Sequence, residues 1–292
     1  MPVAGAIPEQ LLTVLAAATV FTIMFDVGSG IVPREFRWVW RHPGVIARGL
    51  FSVLIAVPAI ALVVARTFDL PRPVEIGIVL MSISPGAPVA LRRSLGAGGH
   101  RSFAPALQIL VALLAVVSMP ASIALLDELY AGHASIAPGH VARQIFIAQL
   151  LPLGLGIAFR NAWPTAAARF APTLSRLGTI MLITLVIISL VDVWRPVVDA
   201  GPRIVVTIVT VTVLALAAGH LLGGPDQSTR TAVAISSAAR NPGLALLVAT
   251  LNAASPEITA TVLAYLVVSA LTVLPYVLWR HRTRQVTAVS EP

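Results

Sequence analysis

The chain has 292 residues, of which 57% are hydrophobic and 11% charged, with a mean hydropathy of +0.90 and a net charge of +8. A soluble domain of this size carries about 25% charged residues, so a chain this apolar cannot cover itself with polar surface and its solvent is lipid. All twenty basic residues are Arg and there is no Cys. That excludes disulfides, thiolate metal sites and thiol catalysis. The basic residues sit between apolar stretches, so nucleic acid is not an expected partner.

A membrane helix needs about 20 mostly apolar residues, and nine stretches qualify, which predicts an all-α polytopic membrane protein. The first is 9–31; Glu9 is the only charge before it, so it does not read as a cleavable signal. Asp26 lies inside it, about a turn and a half from one end. It is the candidate coupling residue, by protons, against the alternative of snorkelling or pairing with a nearby Arg. The second stretch is 44–66. The third, 74–96, is interrupted at its centre by Ser82-Ile83-Ser84-Pro85-Gly86-Ala87-Pro88 and continues into Arg92-Arg93. The fourth, 102–126, carries Gln108. The fifth and sixth are 139–159 and 172–193, and the seventh, 203–222, ends near His220. The eighth, 228–251, is interrupted by Ser236-Ser237-Ala238-Ala239-Arg240-Asn241-Pro242-Gly243. The ninth is 258–279. Pro removes a helical N–H and Gly adds backbone freedom. Backbone freed at mid-membrane must be buried in protein or line a wet cavity.

The arginines set an expected orientation. With the N-terminus outside and the C-terminus cytoplasmic, fourteen lie at cytoplasmic ends (34, 37, 41, 48, 92, 93, 101, 160, 169, 176, 230, 280, 282, 284) and five outside (66, 72, 143, 195, 203). The expected location is the inner membrane. All five Trp fall at span ends, as an interfacial belt requires.

The two interruptions occupy corresponding places. Spans 1–4 match spans 6–9, and an offset of five helices inverts the second copy. Paired Gly/Pro-broken spans in inverted repeats point to a transporter binding site. Each break exposes the N-terminus of a second half-helix, near Val89 and near Pro242, with about half a positive charge. Arg240 adds a full charge at the centre of its span, where such a charge costs roughly 2.5 kcal/mol or more and marks a functional position. The sum is a positive midplane site suited to an anion. Two readings of Arg240 stand open: a charge satisfied internally that locks the crossing, or a direct contact to an anion.

The stretch Phe25-Asp26-Val27-Gly28 through Pro33-Arg34-Glu35-Phe36 and His42-Pro43 resembles the opening segment of the bile acid:sodium symporter family. Ser84-Pro85-Gly86 and Arg240-Asn241-Pro242-Gly243-Leu244-Ala245 resemble that family's two crossing discontinuous helices. The resemblance covers nearly the whole chain from about residue 12 and implies a nine-helix form that lacks the first helix of ten-helix relatives. It implies a panel domain (9–31, 139–159 and 172–193) and a core domain (44–126 and 203–279, with the broken spans 74–96 and 228–251), with substrate between them. The chain departs from the family at the sodium ligands. The Ser and Asn of the third-span motif fall at Ala90 and Leu91, a Thr at Gln108, the eighth-span Glu at Ser236, its Gln at Arg240, and a further Gln at about Val53. The resemblance implies transport; it does not carry sodium binding to these positions.

The leading expectation is a secondary active transporter of a small organic anion, working by alternating access, with no enzymatic activity, cofactor or metal. The expected substrate-binding residues are Ser84, Pro88, Arg92, Gln108, Ser236, Ser237, Arg240 and Asn241. For the serines and Gln108, helix–helix hydrogen bonding is the alternative role; for Arg92 it is interfacial snorkelling. The alternatives in function are an arsenite-type efflux carrier, disfavoured by the missing Cys, and a non-transporting membrane sensor or scaffold. No HExxH, GxSxG or paired intramembrane carboxylate supports an enzyme.

Overall fold

In the computed structural model the described residues are 9–31, 41–86, 88–129, 138–199, 201–252 and 254–290. Every regular element among them is helical. In chain order these are α1 (Glu9–Gly30), α2 (Pro43–Thr67), α3 (Arg72–Ser82), α4 (Pro88–Gly96), α5 (Phe103–Leu129), α6 (Gly139–Ala162), α7 (Pro164–Asp199), α8 (Gly201–Leu222), α9 (Gln227–Ala238), α10 (Pro242–Leu251) and α11 (Pro256–Ser290). Several open on a proline, among them Pro43, Pro88, Pro164, Pro242 and Pro256. Proline suits the first helical position because the N–H it lacks has no helical partner there. Arg34, Arg37, Trp38, Trp40, Ala87 and Gly132 lie outside the described residues.

Among the described residues, eight helical runs are long and apolar enough to cross a membrane, against nine expected. The difference is the third span. It is present as α3 and α4, of 11 and 9 residues, and neither half is long enough alone. Large apolar side chains on the outer faces, such as Val63, Val117 and Leu221, are exposed, as a chain solvated by lipid requires.

The chain divides into two compact units. The first comprises Met1–Ile31, Val116–Gly201 and Pro242–Leu263. Here α1 crosses α6 at a glycine pair. A Cβ on Gly28 would collide with the Leu153 carbonyl, and one on Gly156 would collide with the Phe25 carbonyl. Only hydrogen at both positions lets the backbones touch, the usual device where no hydrophobic force separates helix from lipid. The Phe25 and Phe159 rings pack beside that contact, with centroids 5.6 Å apart.

The second unit comprises Val32–Ala115, Pro202–Asn241 and Ala264–Pro292. One core cluster joins Val53, Phe103, Leu107 and Val233; another joins Val57, Ala215, Ala238 and Val273. Both are built on α9, which is flanked by α2, α5, α8 and α11. An 18-residue apolar stretch within Gln227–Leu251, a run that begins in this unit and ends in the first, is 94% buried, against 11% for its counterpart within Pro164–Ser189 in α7, so among these eight runs the polar, broken one is the most enclosed.

One irregularity inside α2 positions the site. Ser52–Ala56 is a π turn: the Val57 N–H donates to the Ser52 carbonyl, five residues back. Pro58 follows immediately. The same arrangement recurs in α6, where Phe146–Leu150 is a π turn, the Leu151 N–H donates to the Phe146 carbonyl, and Pro152 follows. A π turn shifts the hydrogen-bond ladder by one residue and strands a carbonyl.

Candidate functional site

The first interruption begins where α3 ends. Ile83, Ser84, Pro85 and Gly86 leave the helix, and Gly86 has φ +84°, a left-handed conformation that glycine adopts at no steric cost. The Ser84 hydroxyl donates back to the Leu80 carbonyl at 2.7 Å. In a continuous helix the Ser84 carbonyl would accept from residue 88. That residue is Pro88, which has no N–H to give. The Ser84 carbonyl accepts instead from the Asn241 backbone N–H at 2.9 Å. The two breaks thus meet backbone to backbone.

The second interruption completes the exchange. With the Asn241 N–H turned to Ser84, the Ser237 carbonyl loses the donor that an α-helix would supply. Arg240 replaces it: Nη2 donates to the Ser237 carbonyl at 2.7 Å. Nη1 donates to the Val53 carbonyl at 3.0 Å, the group stranded by the π turn of α2. The Ser52 and Ser237 hydroxyls share a hydrogen bond of 2.8 Å, which ties α2 to α9 at the same level. The freed carbonyls of Ser84, Ser237 and Val53 therefore each have a donor, as burial demands.

Arg240 is 3% exposed, and its hydrogen-bond partners are two neutral carbonyls. Among the described residues no carboxylate forms a salt bridge with it. Its Nε is buried without a hydrogen-bond partner, as is Nε2 of Gln108. Gln108 Nε2 faces the first break; a Cβ on Gly86 would lie 3.6 Å from it. The buried Tyr265 lies within electrostatic reach of Arg240. Arg240 thus ties the second break to α2 through two carbonyls, while the two breaks themselves are joined by the Asn241 N–H and the Ser84 carbonyl.

Of the expected site residues, Ser84, Gln108, Ser237, Arg240 and Asn241 are all buried at the crossing or against it. Ser236, 8% exposed, is in the last turn of α9. Pro88 opens α4, and its side chain lies outside the described residues. Arg92 is exposed on α4. Asp26 is half-buried on α1, in the other unit. Sequence reasoning misses Val53 and Ser52. It weighs Val53 by its side chain, which cannot bind an ion; the carbonyl is what matters, and the signal for it is the Val57-Pro58 pair in the middle of an apolar span.

Breaks of this kind, meeting at a buried arginine in an all-helical multi-pass membrane protein, belong to transporter architecture. The Sodium Bile acid symporter family matches residues 17–199, and the chain belongs to that family. It is 23% identical over 235 residues to the "Uncharacterized sodium-dependent transporter YocS" of Bacillus subtilis (strain 168), across 78% of this chain and 71% of that protein. It is also 23% identical over 239 residues to the "Probable sodium/metabolite cotransporter BASS2, chloroplastic" of Oryza sativa subsp. japonica. That match takes in 80% of this chain and 56% of the rice protein.

Proposed function

We propose that this chain is a secondary active transporter of a small organic anion, with the positive charge of Arg240 standing where relatives place sodium. The observation that carries the reading is a permanently charged guanidinium, 3% exposed, whose partners are uncharged carbonyls. Arg does not deprotonate under ordinary conditions, and a lone buried charge is costly. An anion beside Nε relieves that cost. Gln108 Nε2 and Asn241 complete a donor-rich surround, with Ser84, Ser236 and Ser237 as further polar neighbours, Pro88 opening the adjoining half-helix and Arg92 farther along it.

Sodium is disfavoured by the same charge. At an effective dielectric of about 20, a unit charge ~4 Å away repels a cation by roughly 4 kcal/mol, close to a thousandfold in affinity. Ala90 and Leu91 offer no side-chain oxygen, and Ser236 replaces a carboxylate. Transport by alternating access would move the panel helices 9–31, 139–159 and 172–193 against the core helices 44–126 and 203–279, with spans 1–4 and 6–9 as inverted repeats and the N-terminus outside the inner membrane. Asp26 is the residue through which protons would couple.

The test is a thermal-shift and uptake screen of the purified protein against choline salts of carboxylates and sulfonates. The wild type should be stabilised by at least one of these anions, and Arg240→Gln should lose that response. Equal responses in both proteins would sink the proposal.

A further inference from the structure

Pro58 lies in neither break, yet the backbone around it bears on what Arg240 can hold. The Val53 carbonyl has two possible donors within its own helix. In an α turn the donor is the Val57 N–H, but that N–H is committed to Ser52. In a π turn it is the N–H of residue 58, and residue 58 is proline. Both in-helix routes are closed, and the carbonyl accepts from Arg240 Nη1 at 3.0 Å.

We propose that Pro58 is the positioning residue of the Arg240 site: by withholding an N–H it keeps the Val53 carbonyl open to the guanidinium and so fixes Arg240 with Nε presented to the ligand. This rests on Arg240 being the anion contact. The guanidinium has five N–H donors. One is anchored on α2 and one on the preceding helix at Ser237; two anchors on different elements fix its plane as well as its position. With any residue but proline at 58, α2 has two ways to relax. The π turn can persist, with the new N–H taking Val53. It can also revert to α, with the Val57 N–H taking Val53 and the new one Leu54. Either way Arg240 loses the anchor on α2 and swings about Ser237 alone. The sequence repeats the device at Leu151-Pro152 in α6, where Ile147 holds the place of Val53. In α2 the carbonyl left open in this way is taken by a guanidinium.

The experiment compares two replacements that differ only at the backbone: Pro58→Ala, and lactic acid at 58 introduced by nonsense suppression. The ester carries the same methyl group and no N–H. The readouts are the arginine side-chain signals of protein labelled with nitrogen-15 arginine, assigned through Arg240→Lys, and melting midpoints with and without Arg240→Met. In Pro58→Ala the separate Nη signals of Arg240 should merge, and in the ester variant they should be resolved as in the wild type. Arg240→Met should lower the midpoint more in the wild-type background than in the Pro58→Ala background, by about 2–4 °C, the effect of one carbonyl left without a donor. If Pro58→Ala does not fold while the ester variant does and keeps the Arg240 signals, the N–H is again the difference. Unchanged Arg240 signals in Pro58→Ala, or identical behaviour of Pro58→Ala and the ester variant, would overturn the proposal. The anion reading fails separately: wild type and Arg240→Met responding alike to choline acetate would overturn it and leave the Pro58 result standing.

Discussion

The interruption after Ser82 and the interruption after Ala238 are written in similar residues and do opposite work. Each uses Ser, Pro and Gly to stop a buried helix. The first supplies an acceptor, the Ser84 carbonyl, and its own side chain is turned back to Leu80. The second supplies donors, the Asn241 N–H and the Arg240 guanidinium. The lesson is that the first break acts through its backbone and the second through a side chain as well as its backbone, so side-chain substitutions should be tolerated at one and felt at the other.

The largest effect is expected at Arg240. Arg240→Gln removes a unit charge from a buried site, and anion affinity should fall by roughly a thousandfold, the Coulomb estimate for ~4 Å at an effective dielectric of about 20. Titration of the thermal shift measures it. A loss of less than about tenfold would make the two breaks equivalent and the asymmetry illusory. Next comes Pro88→Ala, which restores an N–H within reach of the Ser84 carbonyl and sets it in competition with Asn241. Stability should fall by about 1–2 kcal/mol, the scale of a displaced buried donor, read by the melting midpoint. Gly86→Ala should cost about 1 kcal/mol for its left-handed φ, with no clash, because the new Cβ meets Gln108 Nε2 at 3.6 Å. Ser84→Ala should be milder, about 0.5–1 kcal/mol for one back-bonded hydroxyl, with anion affinity unchanged within about twofold. A large loss of affinity there would show that the first break also acts through its side chain.

The smallest effect is a control outside both breaks. His100 Nδ1 accepts the N–H groups of Ser102 and Phe103 at the start of α5. Burial lowers its pKa from the ordinary 6.5, with Asp226 opposing the shift and His42 adding to it. A lowered folded pKa means stability that is complete above about 6.5 and is lost as the pH falls through the folded value. The melting midpoint should therefore drop on acidification below neutrality, and His100→Asn should flatten the drop without altering the anion response.

The helical, membrane-spanning fold was legible because nine apolar stretches leave lipid as the only solvent, and both breaks were legible because Pro and Gly punctuate them. Arg240 announced itself as a charge at mid-span. Its partners were not legible. Which carbonyl a guanidinium takes depends on the register of a different helix, and the π turn at Ser52–Ala56 leaves no periodic signature in an apolar run. The third span passes as one helix by hydropathy, whereas its halves, Arg72–Ser82 and Pro88–Gly96, are each too short to cross alone. Asp26 was visible as a carboxylate, and the resemblance already set its span, 9–31, apart from the broken spans; the close backbone contact at Gly28 and Gly156 that holds this span to α6 was not legible, because it follows from packing rather than from composition.

The central claim is that the charge of Arg240 does at this crossing what a bound cation does elsewhere. The most direct measurement is the melting midpoint of the purified wild-type protein in sodium chloride against choline chloride at matched ionic strength, titrated through the millimolar range, with Arg240→Gln in parallel. The account predicts no sodium-specific stabilisation of the wild type at any concentration. A sodium-specific rise that saturates at millimolar concentration in the wild type would contradict it.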